Sequence, residues 1–232
     1  MSWRDFWNGE HAIYVNDRHR TLHYDRIAKD MAALIETPDA SVLDHGCGEA
    51  SSAALVAGKC ATLYLYDQAP KVQEKLRLKF SRAAHVSVLS HAALETLPDA
   101  SLDLVIANSL LQYLTYVECE NLLDFWHAKL KPDGRLVLAD LIPPDNNPFT
   151  DAKALLHFGW QGGFLLPGLS GLVATFFSSY RRLRQQLGLT HYSEQDAATL
   201  LAAHGFSCAR AERNIGHNQA RMCVVARKRA DT

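Results

Sequence analysis

A glycine-rich turn is the part of the sequence whose residue types are best suited to chemistry. Gly46 and Gly48 follow the apolar residues Val42 and Leu43 and precede a segment with helical spacing. Glycines let a backbone approach a ligand closely, and the N-terminus of the following helix offers unpaired N–H groups. Asp67 ends the next apolar run, where a carboxylate can accept hydrogen bonds from two ribose hydroxyls. This spacing indicates a site for a cofactor that contains a nucleoside.

The charge of the turn favours a cationic cofactor. A dinucleotide motif of the form G-x-G-x-x-G would require glycine at position 51, which is Ser51. Asp44 and Glu49 would lie near a pyrophosphate, which prefers positive partners, whereas a sulfonium or an amino group is attracted to carboxylates. The residues therefore favour S-adenosylmethionine over NAD.

Four segments of the chain together resemble a known family of enzymes. They are 42–48, Asp67, 97–105 and 130–138. These segments are similar to the motifs of the class I, Rossmann-like S-adenosylmethionine-dependent methyltransferases. The resemblance is strongest to the small-molecule (type 11) group that includes the ubiquinone and menaquinone methyltransferases. It runs over 41–142 and resumes over 192–227.

The resemblance implies both a fold and a reaction. The fold is α/β, with a Rossmann-like seven-stranded and mostly parallel sheet, an antiparallel last strand, helices on both faces and a helical insertion after the fifth strand. The reaction is transfer of a methyl group from S-adenosylmethionine to a small acceptor by in-line displacement, which leaves S-adenosylhomocysteine as the product.

By position in the family motifs, the resemblance assigns twelve residues to cofactor binding. The turn after the first strand would contact the methionine part, Asp67 the ribose, and its neighbour the adenine. The twelve residues are Asp44, Gly46, Cys47, Gly48, Asp67, Gln68, His91, Ala92, Ala93, Asn108, Ser109 and Gln112. The chain departs from the family in two places: no aspartate directly precedes Leu97, and Ala50 replaces the usual third glycine.

A base is needed to remove a proton from an oxygen or nitrogen acceptor, and histidine or tyrosine can serve. The segments expected to cover the site contain several. The candidates for a catalytic role are Tyr14, His23 and Tyr113, followed by His19, Tyr24 and His157.

No metal site is predicted. His19 and His23 have the four-residue spacing of two ligands on a helix, but no third ligand accompanies them. Asp140, Asp145 and Asn146 offer oxygen ligands for magnesium, yet the proline-rich turn there and the family resemblance favour a metal-free site.

Short apolar strands alternate with amphipathic segments, which predicts a parallel sheet whose ligand site lies beyond the carboxyl ends of the strands. The predicted strands are 41–43, 61–66, 85–89, 102–107, 135–141 and a terminal antiparallel pair, 206–215 and 221–227. The predicted helices are 18–35, 51–58, 69–83, 117–130 and one that begins at Ser193 and stops at Gly205. We expect a single methyltransferase domain with an N-terminal helical cap (1–40), a cofactor-binding core (41–142), a helical insertion or lid (143–192) and a C-terminal helix and strand pair (193–232).

An apolar stripe marks the insertion. Apolar residues recur at three- and four-residue intervals at Leu169, Leu172, Val173, Phe176, Tyr180, Leu183 and Leu187. The stripe is typical of ordinary packing, and it leaves open a lid over an apolar substrate or, through 164–187, a dimer or peripheral membrane contact. Together with the aromatic residues near the N-terminus, it favours a lipophilic or aromatic small-molecule acceptor.

Composition restricts the other partners and the compartment. The chain has 232 residues with 24 basic and 25 acidic side chains, a net charge of −1, so no global field attracts nucleic acid. Five cysteines without a C-x-x-C pair favour a reducing compartment, and no stretch reads as a transmembrane segment. We expect a cytoplasmic protein with a small-molecule acceptor and no nucleic-acid partner.

Two other functions remain open from the sequence. One is a non-catalytic sensor or scaffold that binds S-adenosylmethionine without an acceptor. The other is an NAD-dependent oxidoreductase, which Ser51 and the acidic turn disfavour.

The first prediction concerns Asp67. Asp67→Ala should weaken binding of both S-adenosylmethionine and S-adenosylhomocysteine by about ten- to hundredfold, because hydrogen bonds to a charged group contribute about 1.5–3 kcal/mol. Calorimetric titration measures this, with Asp133→Ala as a control in a predicted turn. Binding of NAD but of neither sulfur compound would contradict the choice of cofactor.

Overall fold

The computed structural model describes residues 3–9, 14–176, 186 and 188–229. Its seven strands are β1 Ser41–His45, β2 Thr62–Tyr66, β3 Val86–Val88, β4 Leu102–Asn108, β5 Leu130–Leu141, β6 Phe206–Arg210 and β7 Met222–Lys228. Its helices are α1 Trp3–Trp7, α2 Asp17–Ala32, α3 Ala53–Ala57, α4 Pro70–Phe80, α5 His91–Glu95, α6 Tyr116–Lys129, α7 Pro148–Gly162, α8 Leu165–Phe176 and α9 Glu194–Ala203. A 3-10 helix, Leu111–Tyr113, follows β4.

The strands form one sheet in the order β3-β2-β1-β4-β5-β7-β6. β1 pairs in parallel with both β2 and β4, and β7 pairs antiparallel with both β5 and β6. The chain order reverses between β1 and β4, and in open sheets a ligand binds at such a point, beyond the carboxyl ends of the strands. The predicted Rossmann-like fold with an antiparallel last strand is confirmed.

Helices cover both faces of the sheet. On one face, Leu123 and Trp126 of α6 and Leu201 of α9 are fully buried against the strands. On the other face, Met31 of α2 and Val56 of α3 pack over the same strands in a second apolar cluster. The strands are therefore buried on both sides, which explains why they read as continuous apolar runs in the sequence.

Local signals in the sequence explain where two of the helices begin and end. Thr115 and Glu118 form a capping box at the start of α6, and Ser193 and Asp196 form another at the start of α9. Each box satisfies N–H groups that the first helical turn leaves without partners. Gly205, with φ of 77°, follows the end of α9 as predicted.

Several predicted boundaries were wrong. α2 ends at Ala32 rather than at 35, and α4 ends at Phe80 rather than at 83. α3 begins at Ala53 rather than at position 51, and β5 begins at Leu130 rather than at 135, because Leu130 pairs with Leu102. The strand predicted over 206–215 ends at Arg210, and the following residues leave the sheet. The predicted terminal antiparallel pair is confirmed: β7 and β6 form one edge of the sheet, with β6 outermost.

Several residues of the apolar stripe lie outside the described residues. Tyr180, Leu183 and Leu187 are among them, and so are the side chains of Val173 and Phe176. In the described part of the chain, no helix combines the length and the apolar character needed to cross a membrane.

The packing of α6 generates a stability prediction. Leu123 is 0% exposed, whereas Leu78 on α4 is 73% exposed. Leu123→Ala should lower the free energy of unfolding by about 2–5 kcal/mol because a cavity forms in the core, while Leu78→Ala, the matched control, should change it by less than about 0.5 kcal/mol. Denaturant unfolding measures both. Equal losses would contradict the described packing.

Candidate active site

A cavity of about 2850 Å³ opens at the carboxyl ends of the strands. Its lining comes from the ends of β1, β2, β4 and β5, from α1 and α2, and from the first turns of α7. Pockets for single small ligands commonly measure about 300–1,000 Å³. The cavity therefore has room for a cofactor and a second molecule side by side.

The glycine turn lies at the centre of this edge of the sheet. The N–H groups of Gly46 and Cys47 donate to the carbonyl of Tyr66, at 2.8 and 3.1 Å. Gly46 and Gly48 have φ of 80° and 56°, and Ala50 has φ of 41°. Positive φ favours glycine. Ala50 therefore adopts its conformation at a higher conformational energy than the glycine usual at this position in the family would. A Cβ on Gly48 would lie 3.3 Å from the Tyr24 hydroxyl.

Asp67 joins the end of β2 to the glycine turn. Its Oδ2 accepts from the N–H of Gly48 at 3.0 Å, and its Oδ1 accepts from the N–H of Ala69 at 2.8 Å. Burial raises the pKa of Asp67, and these two hydrogen bonds counteract the shift. Gln68, next in the chain, is exposed and lines the cavity. The Asp67 carboxylate is thus held in one orientation with part of its surface open to the cavity.

Asp44 is a buried carboxylate at the end of β1. It is 9% exposed, and no described residue donates a hydrogen bond to it. Burial, and then the charge of Asp67, raise its pKa to about 7. A buried carboxylate without donors is costly. A cation bound in the cavity would remove this cost by favouring the ionised form.

Two buried side-chain amide oxygens near the end of β4 also lack hydrogen-bond partners in the described part of the chain. They are Oδ1 of Asn108 and Oε1 of Gln112, and both residues line the cavity. Buried polar groups nearly always have hydrogen-bond partners. Amino or hydroxyl donors of a bound molecule would satisfy these oxygens, which fits the polar parts of S-adenosylmethionine.

Of the three residues expected to contact adenine at 91–93, only one lines the cavity. His91 lines the cavity, and its Nδ1 lies 3.2 Å from the hydroxyl of Tyr66. Ala92 and Ala93 belong to the first turn of α5 and are not among the lining residues. The N–H of Ala93 donates to the hydroxyl oxygen of Ser90 at 3.2 Å. The other ten residues assigned to the cofactor line the cavity.

Two of the catalytic candidates, Tyr14 and His23, lie together beside the glycine turn. Their ring centroids are 5.4 Å apart, and Tyr24, whose hydroxyl accepts from the N–H of Glu49 at 3.3 Å, lies 5.5 Å from His23. Burial raises the pKa of both tyrosines, to about 12 for Tyr24. Both hydroxyls are therefore protonated at neutral pH.

Three histidines meet at this end of the cavity. Ring centroids are 6.1 Å apart for His19 and His23, and 5.9 Å apart for His23 and His217. Burial lowers the pKa of all three, to about 3 for His23 and about 4 for His217. We call these residues the histidine cluster. It is neutral at physiological pH, and Nδ1 of His23 is buried without a partner in the described chain.

The third catalytic candidate, Tyr113, lies elsewhere in the cavity. Its ring packs against Trp3 and Trp7 of α1, with centroids 4.6 and 5.4 Å away. His157, a further candidate, does not line the cavity. The structure therefore brings Tyr14 and His23 together and leaves Tyr113 in a separate aromatic group.

Sequence reasoning missed a polar network below the histidine cluster. Arg221 makes a two-point ion pair with Asp151, and Ser109 donates to Oδ2 of Asp140 at 2.8 Å. His217 was also missed. Arg221 and His217 come from the C-terminal segment, where no spacing links them to 14–24 or to the end of β4. In the sequence, Asp140 indicated only a possible magnesium ligand and Ser109 only a cofactor contact, so their hydrogen bond was not predicted. Among the described residues, no group of three or more histidines, cysteines or acids is arranged to hold a metal ion.

Comparison with known proteins places this geometry in a family. Residues 43–138 match the family model described as "Methyltransferase domain". These residues form a methyltransferase domain. The match covers the glycine turn, Asp67 and the end of β4, and it confirms the resemblance to the class I S-adenosylmethionine-dependent methyltransferases. None of the curated proteins compared with the chain matches it.

Solved methyltransferases share the fold. Magnesium protoporphyrin IX methyltransferase from Synechocystis PCC 6803, with bound S-adenosylhomocysteine, is 19% identical, with a TM-score of 0.61 over 98% of this chain and 93% of that chain. The 1,6-didemethyltoxoflavin-N1-methyltransferase from Burkholderia thailandensis is 18% identical, with a TM-score of 0.59 over 91% and 82% of the two chains. Mitomycin 7-O-methyltransferase is 21% identical, with a TM-score of 0.60 over 90% and 55%. At these identities the likeness concerns the fold of the methyltransferase.

The histidine cluster generates a pH prediction. Between pH 6.5 and 3 the unfolded chain binds a proton at His23 that the folded chain does not bind. The contribution of His23 is therefore fully present above pH 6.5 and decreases as the pH falls, by about 2 kcal/mol at pH 5. His23→Gln should remove this part of the difference in unfolding free energy between pH 7 and pH 5, measured with denaturant. If His23→Gln leaves the difference in unfolding free energy between pH 7 and pH 5 unchanged, His23 is solvated in the folded chain.

Proposed function

We propose that the protein transfers a methyl group from S-adenosylmethionine to an oxygen or nitrogen atom of a small aromatic or lipophilic acceptor. One observation carries the proposal. The donor-free carboxylate of Asp44, beside the glycine turn, lines the same cavity as the neutral histidine cluster. The part of the cavity around Asp44 is suited to a cation, and the adjoining part lined by the histidine cluster is suited to an uncharged aromatic molecule.

The described contacts support the cofactor end. Asp67 is oriented by the N–H groups of Gly48 and Ala69, so that it can accept from ribose hydroxyls. Asp44 is suited to the positive charges of the methionine part, and the unpartnered oxygens of Asn108 and Gln112 can accept from its amino group or from hydroxyls. Gly46, Cys47, Gln68 and His91 complete the lining that the family resemblance assigns to the cofactor.

The acceptor region is lined by the rings of the histidine cluster, and Phe158 and Phe164 lie behind them, outside the lining. His217 stacks on Phe158, with centroids 4.6 Å apart and planes at 12°, and His19 stacks on Phe164 at 4.9 Å. Neutral aromatic surfaces favour flat, uncharged ligands. The named structural relatives act on a porphyrin, a toxoflavin precursor and mitomycin, which are small molecules.

The bound cofactor supplies an electrophilic methyl group, and the protein has to align an acceptor with it. Nδ1 of His23 can accept a hydrogen bond from the acceptor, because its lowered pKa keeps the imidazole neutral. The hydroxyls of Tyr14 and Tyr24 are hydrogen-bonded to each other beside His23, and burial keeps both protonated. Tyr113, packed between Trp3 and Trp7, would enclose the cofactor side.

The insertion offers a surface for a further contact. Trp160, Leu166 and Leu169 are 68%, 77% and 46% exposed on α7 and α8. Such side chains support an apolar contact through 164–187, either with a membrane surface or with a second copy of the chain. The five cysteines, none of them in a disulfide, support a cytoplasmic site of action.

Asp44 provides the test of the proposed function. Because a bound cation favours the ionised carboxylate, affinity for S-adenosylmethionine should rise about tenfold between pH 6 and pH 8, as Asp44 with its pKa of about 7 loses its proton. Asp44→Asn should bind more weakly and lose this dependence in calorimetric titrations. Asp39→Asn, an exposed acid just before β1, should keep it.

Two results would contradict the proposal. Affinity that does not change with pH in the wild-type protein would remove Asp44 from the cofactor site. Tight cofactor binding without formation of S-adenosylhomocysteine across a broad panel of aromatic acceptors would favour a sensor or scaffold.

A further inference from the structure

Two residues at the ends of neighbouring strands have an unusual backbone conformation. Ser109 follows β4 with φ of 57°, and Asp140 lies near the end of β5 with φ of 60°. Residues other than glycine rarely adopt this left-handed conformation, and such strained residues concentrate at functional sites. The two side chains are in contact: the hydroxyl of Ser109 donates to Oδ2 of Asp140 at 2.8 Å.

The surrounding chain holds this pair in place. The N–H of Ser109 donates to the carbonyl of Ala139 at 3.1 Å, and the N–H of Asp140 donates to Oδ1 of Asn214 at 2.9 Å. Asn214 is 5% exposed and is itself bonded to Asn218 and Gln219. The carboxylate of Asp140 is therefore a rigid feature of the cavity.

The pair occupies the junction between the two ends of the cavity. Both residues keep part of their surface open, and both line the cavity. Ser109 adjoins Asn108, on the cofactor side. Arg221 and Asp151 also line the cavity beside Asp140, and both influence His217 of the histidine cluster. Asp140 thus lies between the proposed cofactor and acceptor regions.

The electrostatic surroundings are suited to a carboxylate that gains and loses a proton. Burial raises the pKa of Asp140, whereas Arg221, the Ser109 hydroxyl and Asn214 lower it, and Asp151 raises it. Arg221 is already paired with Asp151 in a two-point contact, at 3.2 and 2.8 Å. Because Asp151 partly neutralises its charge, Arg221 lowers the pKa of Asp140 less than an unpaired arginine would. A raised pKa strengthens a carboxylate as a proton acceptor.

We propose that Asp140, positioned by Ser109, is a catalytic residue that removes the proton from an aromatic hydroxyl group of the acceptor. The inference rests on the proposed function and narrows the acceptor to a flat ring with a hydroxyl substituent. The neutral rings of the histidine cluster would contact the acceptor ring. The hydroxyl would point at the carboxylate of Asp140.

The proposed step conserves atoms and electrons. The acceptor oxygen forms a bond to the methyl carbon while the bond between that carbon and sulfur breaks, and the electron pair of the broken bond goes to sulfur. The hydroxyl proton goes to the carboxylate of Asp140, from which it leaves to solvent after the product departs. No oxidant or reductant is needed.

The test uses 4-nitrophenol as the probe and the full chain saturated with S-adenosylhomocysteine. Nitrophenolate absorbs at longer wavelength than nitrophenol, so transfer of the proton is visible without turnover. At a pH where the free probe is mostly protonated, the wild-type protein should shift bound probe to the long-wavelength band. Asp140→Asn, which suits the left-handed backbone, should bind the probe and lose that band. Asp145→Asn, an exposed acid five residues away, should keep it.

The outcomes separate this inference from the proposed function. If the wild-type protein does not bind S-adenosylhomocysteine, the proposed function itself is refuted. Two results with intact cofactor binding would overturn the role of Asp140 alone. One is the same probe spectrum in the wild-type and Asp140→Asn proteins, and the other is that the wild-type protein does not bind the probe. Ser109→Gly, which relaxes the backbone and removes the hydroxyl, serves as a second variant. It should reduce the band, with its thermal unfolding midpoint as the check on folding.

Discussion

The candidate cofactor site depends on hydrogen bonds that join the ends of β1 and β2. The N–H of Gly48 donates to the carboxylate of Asp67, while the N–H groups of Gly46 and Cys47 donate to the carbonyl of Tyr66. These bonds use the polar groups on one side of the turn and require left-handed backbone at both glycines. The other side of the turn stays free for a ligand. Asp44, at the end of β1, is thereby held at the edge of the cavity without a donor of its own.

Burial acts on acids and bases in opposite directions, and the cavity uses both effects. It raises the pKa of Asp44 to about 7 and lowers that of His23 to about 3. In each case the charged form is disfavoured, because few solvent molecules or partners compensate for it. Without a bound cation the histidine cluster is therefore neutral, and the carboxylate of Asp44 is only partly ionised at neutral pH. A cationic cofactor would complete that ionisation, whereas the histidine cluster would remain neutral.

The departure of the chain from the sheet after Arg210 is important for the same cavity. Had the predicted strand continued to 215, Asn214 would have paired along the sheet edge. Instead it accepts from the N–H of Asp140 and lies next to Asn218. The C-terminal segment thus reaches back to the ends of β4 and β5 and contributes His217 and Arg221 to the lining. No spacing in the sequence indicated these contacts, because the partners of Asn214 and Arg221 are seventy or more residues away in the chain.

The sequence by itself determined the sheet, its antiparallel strand and the glycine turn with Asp67, because strand periodicity, turn glycines and helix caps are local signals. Through motif order it also predicted a cofactor-binding role for Asn108 and Gln112, and both line the cavity. Only the tertiary structure decided that Tyr14 and His23 meet His217, that Tyr113 lies apart from them, and that Ser109 binds Asp140. Those contacts join side chains from separate elements, so they depend on packing and on the long-range path of the chain, which no local spacing encodes.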